Sequence, residues 1–198
     1  MTNQAKLIQL LVERSFSRGQ FILASGKSSD FYIDARMTTM SPEGLSILGP
    51  LAIETIRKAA WKVDSVGGLT LGADPFAYSI AVSSNSFPPL VRAFTVRKEA
   101  KTHGRGKLIE GPFRKGDSVV VVEDVITTGS SAITAIDAIL AAGGSITGVL
   151  AVVDREEGGV GAIRKAGYEA IALTNLRELM LYADEHRASA DVQPTQDT

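Results

Sequence analysis

The chain has 198 residues and no cysteine, which excludes a disulfide framework and thiolate metal sites. With 44% hydrophobic and 22% charged residues it has the make-up of one globular domain with a sizeable core. A formal net charge of -1 lacks the basic footprint of nucleic-acid binding, and two histidines leave little for imidazole-rich metal sites.

The first residues, MTNQAKLIQLLVERSF, have no long apolar stretch ahead of a small-residue cleavage site. No run approaches the ~20 apolar residues of a membrane span. A cytoplasmic protein without nucleic-acid or membrane partners is expected. Leu7, Ile8, Leu11 and Val12 recur at helical spacing, which predicts a helix over Ala5–Phe16. Phe21–Ile33 reads as short strands or turns punctuated by Ser25-Gly26 and Ser28-Ser29. Ser41 and Pro42 mark the start of a helix running towards Trp61, with Pro50 expected to bend or split it.

Strands and helices then alternate. Strands are predicted at Val63–Leu69, Leu90–Val96, Ser118–Val122, Ser145–Val153 and Tyr168–Leu173. Helices are predicted at Pro75–Ser83, Ser130–Ala142, Gly161–Lys165 and Asn175–Tyr182. Valine-rich strands apolar on both faces, separated by helices, predict an α/β fold with a mainly parallel sheet flanked by helices. Residues 1–187 read as one domain, with 1–40 as an N-terminal segment over the site. The small, polar stretch Ala188–Thr198 reads as a disordered tail.

The chemistry concentrates in Val119–Ser131, VVVVEDVITTGSS. Four valines fit a central buried strand, and Glu123-Asp124 interrupts the apolar run at its carboxyl end, where open α/β sheets bind ligands. Thr127–Ser131 then leads into a helix, so backbone N–H groups and hydroxyls converge on an anion site. Two carboxylates beside a bare phosphate would repel it. They suit a ligand that also offers hydroxyls or a magnesium ion, such as a ribose 5-phosphate carrying a pyrophosphate. The GxxxxGK[ST] and GxGxxG signatures are both absent. A second segment, Arg97–Gly111, carries five basic residues, one histidine and three glycines, which predicts a mobile cationic loop able to neutralise a departing anion.

The thirteen residues of Val119–Ser131 resemble the phosphoribosyl pyrophosphate (PRPP) signature of type I phosphoribosyltransferases. The resemblance implies that fold, with Glu123 and Asp124 on the ribose hydroxyls. It also implies that the loop continuing through Val125 and Ile126 into Thr127, Thr128, Gly129, Ser130 and Ser131 holds the 5-phosphate. The pattern RKExKxHG in Arg97–Gly104 resembles the catalytic loop of orotate phosphoribosyltransferases. By that resemblance Arg97, Lys98, Lys101 and His103 contact pyrophosphate, with Lys101 and His103 nearest the leaving group. The family resembled is a homodimer whose loop reaches into the neighbouring subunit's site.

Three further stretches agree. FILASGKSSDFYID, Phe21–Asp34, resembles the family's segment over the orotate ring, with Tyr32 and Ile33 in contact with it. Arg155, in Val153-Asp154-Arg155, stands where an arginine pairs with the orotate carboxylate, and its planar fork suits that task. An ion pair with Asp154 or Glu156 is the structural alternative. Thr127 is also expected to touch orotate. GGLTLGADP, Gly67–Pro75, sits where the family places its pyrophosphate loop, with Leu71 and Gly72 at the anion. The sequence departs from the family at Ala24 and Gly72, where many members carry lysine. Lys27 lies near the first gap.

The implied reaction moves the 5-phosphoribosyl group from PRPP to orotate in pyrimidine nucleotide synthesis. Mg2+ is expected as cofactor, held through PRPP rather than by dedicated protein ligands, with Lys101, His103 and Asp124 as the catalytic groups. A phosphoribosyltransferase for another base and a non-catalytic PRPP-sensing regulator remain the alternatives.

Overall fold

The computed structural model describes residues 1–22, 26, 28–99 and 108–190, with backbone alone for 187–190. Helix α1, Asn3–Arg14, begins where the Thr2 side chain accepts from the Ala5 N–H at 3.2 Å. It buries Leu7 and Leu11, the periodic positions, and Phe16 opens a strand instead of ending the helix. Strands β1, Phe16–Ile22, and β2, Ser28–Ile33, form an antiparallel hairpin in a two-stranded sheet of their own. A single turn, α2 (Arg36–Thr39), follows.

Helix α3 spans Pro42–Lys58, capped by Ser41, whose side chain accepts from the Gly44 N–H at 3.1 Å. Pro50 does not split it. The physical reason is tertiary: α3 packs along α4, Ala73–Ser83, so closely that a Cβ at Gly49 would lie 2.8 Å from the Ser79 carbonyl carbon. Burial of Leu48, Leu51, Ala52 and Ile56 outweighs the one backbone hydrogen bond that proline removes.

The main sheet contains β3 (Ser65–Leu69), β4 (Arg92–Val96), β5 (Ile109–Glu110), β6 (Ser118–Ile126), β7 (Ser145–Asp154) and β8 (Ala170–Asn175). Their order is β5-β4-β3-β6-β7-β8, parallel throughout except for the antiparallel β4–β5 pair. Strand β5 lies within the segment read as a mobile loop; residues 100–107 of that segment lie outside the described residues. Helices α5 (Ser130–Ala141), α6 (Gly159–Lys165) and α7 (Leu176–Ala190) complete the chain. Helix α7 continues past Tyr182 through Ala190, so the first residues assigned to a tail are helical; 191–198 lie outside the described residues. No described helix is long and apolar enough to cross a membrane.

Strand β6 joins two cores. Val120 and Val122 pack with α1, α3 and α4, whereas Val119 and Val121 pack with α5 and α6. The strand does not stop at Val122. It runs on through Glu123 and Asp124 because β7 pairs with it as far as Ile126 opposite Asp154. Strand β3 pairs with β6 only up to Val121, which frees the other edge of residues 123–126 to border a cavity.

Behind the sheet, buried Asp117 takes a 2.6 Å contact from Arg92, with further bonds from the Ser65 hydroxyl and the Arg114 N–H. Burial opposes its ionisation, but these partners together hold its carboxyl below the usual value. A depressed carboxyl stabilises above its unfolded pKa, and that stability is lost as pH falls through the folded one. Asp117→Asn is expected to cost about 3 kcal/mol. In a chain of this size that is a fall in Tm of roughly 6–12 °C. The penalty relative to wild type should shrink in acid; calorimetry at pH 7 and pH 4 checks both.

Candidate active site

The carboxyl ends of β3 and β6 face a cavity of about 360 Å³. Strand β6 and its loop contribute Glu123, Asp124, Val125, Thr127 and Ser131; Arg155 enters from the end of β7. Tyr32 and Ile33 descend from the hairpin, Leu71 and Gly72 come from the β3–α4 turn, and Lys98 follows β4. A smaller adjoining pocket is bounded by Glu123, Ile126, Gly129 and Ser130, although the Ile126 side chain is 2% exposed and belongs to the core. Thr128 is exposed and bonds Ser130 hydroxyl to hydroxyl at 3.1 Å. Arg97 lies off the cavity lining, 3.9 Å from Glu110 across the β4–β5 pair. Lys101, His103, Ala24 and Lys27 lie outside the described residues.

The phosphate-type loop is built by close glycine contact. Gly129 has φ +81°, a left-handed conformation that favours glycine, and its carbonyl accepts the first bond of α5 from Ile133. A Cβ on Gly159 would lie 2.8 Å from the Gly129 nitrogen, so α6 presses directly on the loop. Gly129, Ser130, Ser131 and Ala132, at the start of α5, line the smaller pocket, and a helix start is where unpaired N–H groups bind anions. Sequence reading missed Gly159, because nothing in one chain ties it to Gly129.

The two acids differ sharply. Glu123 is buried, its Oε1 has no hydrogen-bond partner, and it borders both pockets. Burial, assisted by the nearby Asp124 charge, pushes its carboxyl up to about 8. Asp124 is also raised, mainly by burial, but its Oδ1 accepts from the Val125 N–H at 2.8 Å and the Arg36 charge opposes the shift. Gly72 lies against this acid: a Cβ there would fall 2.6 Å from the Asp124 Cγ. Asp74 holds the turn beneath, accepting from Thr70 at 2.7 Å and Thr95 at 2.8 Å.

A raised carboxyl favours the protonated folded state, so Glu123 destabilises the fold increasingly as pH rises from its unfolded value towards 8. A ligand hydroxyl or cation at Oε1 favours the carboxylate. A ligand that brings a hydroxyl or cation to Oε1 at pH 7 is therefore expected to release nearly one more proton on binding wild type than on binding Glu123→Gln, with PRPP and Mg2+ as the probe. Calorimetric titration in two buffers of different ionisation enthalpy measures this; equal proton release from both proteins would refute it.

Asp34 and Arg36, not singled out from sequence, also line the cavity. Arg36 forms a forked pair with Asp34, Nε to Oδ1 at 2.8 Å and Nη2 to Oδ2 at 3.0 Å, opposite Asp124. Their i, i+2 spacing in YIDAR was the available signal. Arg155 is almost wholly buried, its guanidinium 5.2 Å from the Phe31 ring centroid. Its partner is neither Asp154 nor Glu156. Asp154 accepts from the Glu156 N–H at 2.9 Å, and Glu156, at φ +57°, turns towards Arg177 at 3.4 Å. The Arg155 Nη2 instead lies 2.8 Å from Glu157 Oε1, out of hydrogen-bond alignment, and neither Nε nor Nη2 has a hydrogen-bond partner.

Among the described residues no group of three or more His, Cys, Asp and Glu side chains could hold a metal ion. The buried, unpartnered Glu123 oxygen and the Asp124 carboxylate fit a cation carried in by an oxygen-rich ligand rather than a protein cage.

A mainly parallel sheet whose central strand delivers two acids and a phosphate-type loop, under an N-terminal hairpin, is the type I phosphoribosyltransferase architecture. The crystal structure of a phosphoribosyltransferase from Corynebacterium diphtheriae superposes with TM-score 0.79 at 38% identity, covering 90% of this chain and 99% of that one. Orotate phosphoribosyltransferase from Aquifex aeolicus is 43% identical over 183 residues, 91% of this chain and 99% of its own length. The Mycobacterium tuberculosis orotate phosphoribosyltransferase, solved in complex with PRPP, superposes with TM-score 0.76 at 37% identity over 89% of this chain and 98% of that one. No protein-family model matches. On these relatives the chain belongs to the orotate phosphoribosyltransferase family.

Proposed function

We propose that the chain transfers the 5-phosphoribosyl group from PRPP to a ring nitrogen of orotate, giving orotidine 5'-monophosphate and pyrophosphate for pyrimidine synthesis. The carbon–oxygen bond to pyrophosphate breaks with its electron pair on the leaving group, and a carbon–nitrogen bond forms at the same ribose carbon as the ring nitrogen gives up its proton to the departing pyrophosphate or to solvent. The observation that carries this reading is the pairing in one cavity of a donor-type site, Glu123-Asp124 and Thr127–Ser131, with a buried arginine whose hydrogen-bonding edge is unused.

In this reading the start of α5 takes the 5-phosphate and the two acids accept from the ribose hydroxyls. Glu123 and Asp124 would border a Mg2+ carried in by PRPP, which would supply charge neutralisation at the leaving group. Gly72 brings backbone close to the pyrophosphate, and Lys98 stands at the same cavity wall. Arg155 orients the acceptor through its carboxylate, with Tyr32 and Ile33 beside the ring. By resemblance, Lys101 and His103 act on the departing pyrophosphate from a loop shared between two subunits. A homodimer is supported by the outward face of α4, where Tyr78 and Val82 are 49% and 72% exposed, next to Leu71 at 55% in the β3–α4 turn. We place the protein in the cytoplasm and read residues 1–187 as one domain.

The test is loss of orotate ultraviolet absorbance with PRPP and Mg2+ present. Turnover of another base but not of orotate would overturn the assignment.

A further inference from the structure

We propose that Glu157 is an internal stand-in for the acceptor's carboxylate: it sits against Arg155 in the ligand-free site and must swing away before the acceptor docks. This rests on the orotate reading above.

The Arg155 side chain is 8% exposed, and its Nε and Nη2 atoms are buried without hydrogen bonds. That edge of the guanidinium is one a planar carboxylate grips with two parallel bonds. A buried, unbonded charged donor is costly, so the edge is built for a partner that arrives later. The acid now touching it is Glu157, at 2.8 Å from Nη2 but out of line with the N–H bond. Glu157 thus cancels the charge without making the forked pair.

Glu157 is also placed to leave. Its side chain is 38% exposed, and its residue precedes Gly158, which at φ +93° turns the chain into α6. Other acids nearby are already engaged: Asp154 on the Glu156 N–H, Glu156 on Arg177. The Phe31 ring stays with the guanidinium, which keeps the arginine in place when the acid departs. An acceptor carboxylate approaching while Glu157 remained would leave two negative charges on one cation in a poorly solvated place. The acid therefore competes with substrate and sets a threshold that only a carboxylate-bearing ring overcomes.

The experiment compares wild type with Glu157→Gln, which keeps shape and removes charge. Wild type must first turn over orotate; if it does not, the functional reading fails and the proposal is overturned with it. Given turnover, the KM for orotate is expected to fall about fivefold in the variant, with the KM for PRPP and the Tm unchanged. Orotamide, the neutral isostere, should gain no affinity as a competing inhibitor. An orotate KM that stays constant or rises overturns the proposal, as a rise would make Glu157 a support for Arg155. An equal gain for orotamide also overturns it, because charge would then not be the cause.

Discussion

Arg155→Ala is expected to raise the KM for orotate by about two orders of magnitude or more, while the KM for PRPP stays within a fewfold. Removing one partner of a buried charge pair costs about 2–5 kcal/mol, and roughly 1.4 kcal/mol is a factor of ten. The donor pocket is assembled by β6, α5 and the β3–α4 turn, none of which depends on this guanidinium. Glu157, left without its cation, is exposed enough to be solvated, so the fold should survive. Arg155→Lys keeps the charge but loses the planar fork, and should recover only a small part of the loss. Steady-state kinetics with each substrate varied in turn decides the matter. An orotate KM near the wild-type value would remove Arg155 from the acceptor site.

Gly72→Lys, which supplies the lysine that the resemblance leads one to expect there, is expected to weaken PRPP binding about tenfold or more rather than improve it. The first atom of any side chain there meets the Asp124 carboxylate. That carboxylate cannot simply yield: it accepts from Val125, and the turn beneath is tied by Asp74 to Thr70 and Thr95. Gly72→Ala brings the same clash without charge and should show much of the same loss. Should Gly72→Lys bind PRPP more tightly than wild type, the carboxylate would be adjustable and Gly72 a plain loss of charge. Among the described residues Arg36, held by Asp34, is a cation facing Asp124, so positive charge reaches the donor site from the hairpin side.

Much of the fold was legible because periodicity reports burial. The amphipathic spacing of Leu7 and Leu11 and the unbroken valines of β6 each record a buried face. What failed was local punctuation read without its tertiary context. Pro50 signals a break, yet packing of α3 on α4 holds the helix together. Glu123 signals the end of a strand, yet β7 continues and carries it to Ile126. Strand β5 is only two residues long and exists through pairing with β4, which no local pattern encodes. At the site, motif residues adjacent in sequence were found together. The contacts between distant segments were not: Gly159 under Gly129, Gly72 against Asp124, Arg36 opposite Asp124. For Arg155 the structural alternative was an ion pair with Asp154 or Glu156, its neighbours in sequence, but the left-handed turn at Glu156 gives the contact to Glu157.

The hairpin β1–β2 forms a sheet separate from the main one, with most of β1 exposed. Two-stranded hairpins are marginal on their own, and such elements open locally well before a central sheet does. The acids and phosphate loop, by contrast, sit on β6 between two cores. The molecule thus has a gradient of rigidity across a single cavity. Its donor half is as durable as the whole fold, while Tyr32, on the acceptor side, rides on a peripheral ribbon. Mutations that merely loosen that ribbon would pass as losses of acceptor affinity, without touching any residue that meets the ligand.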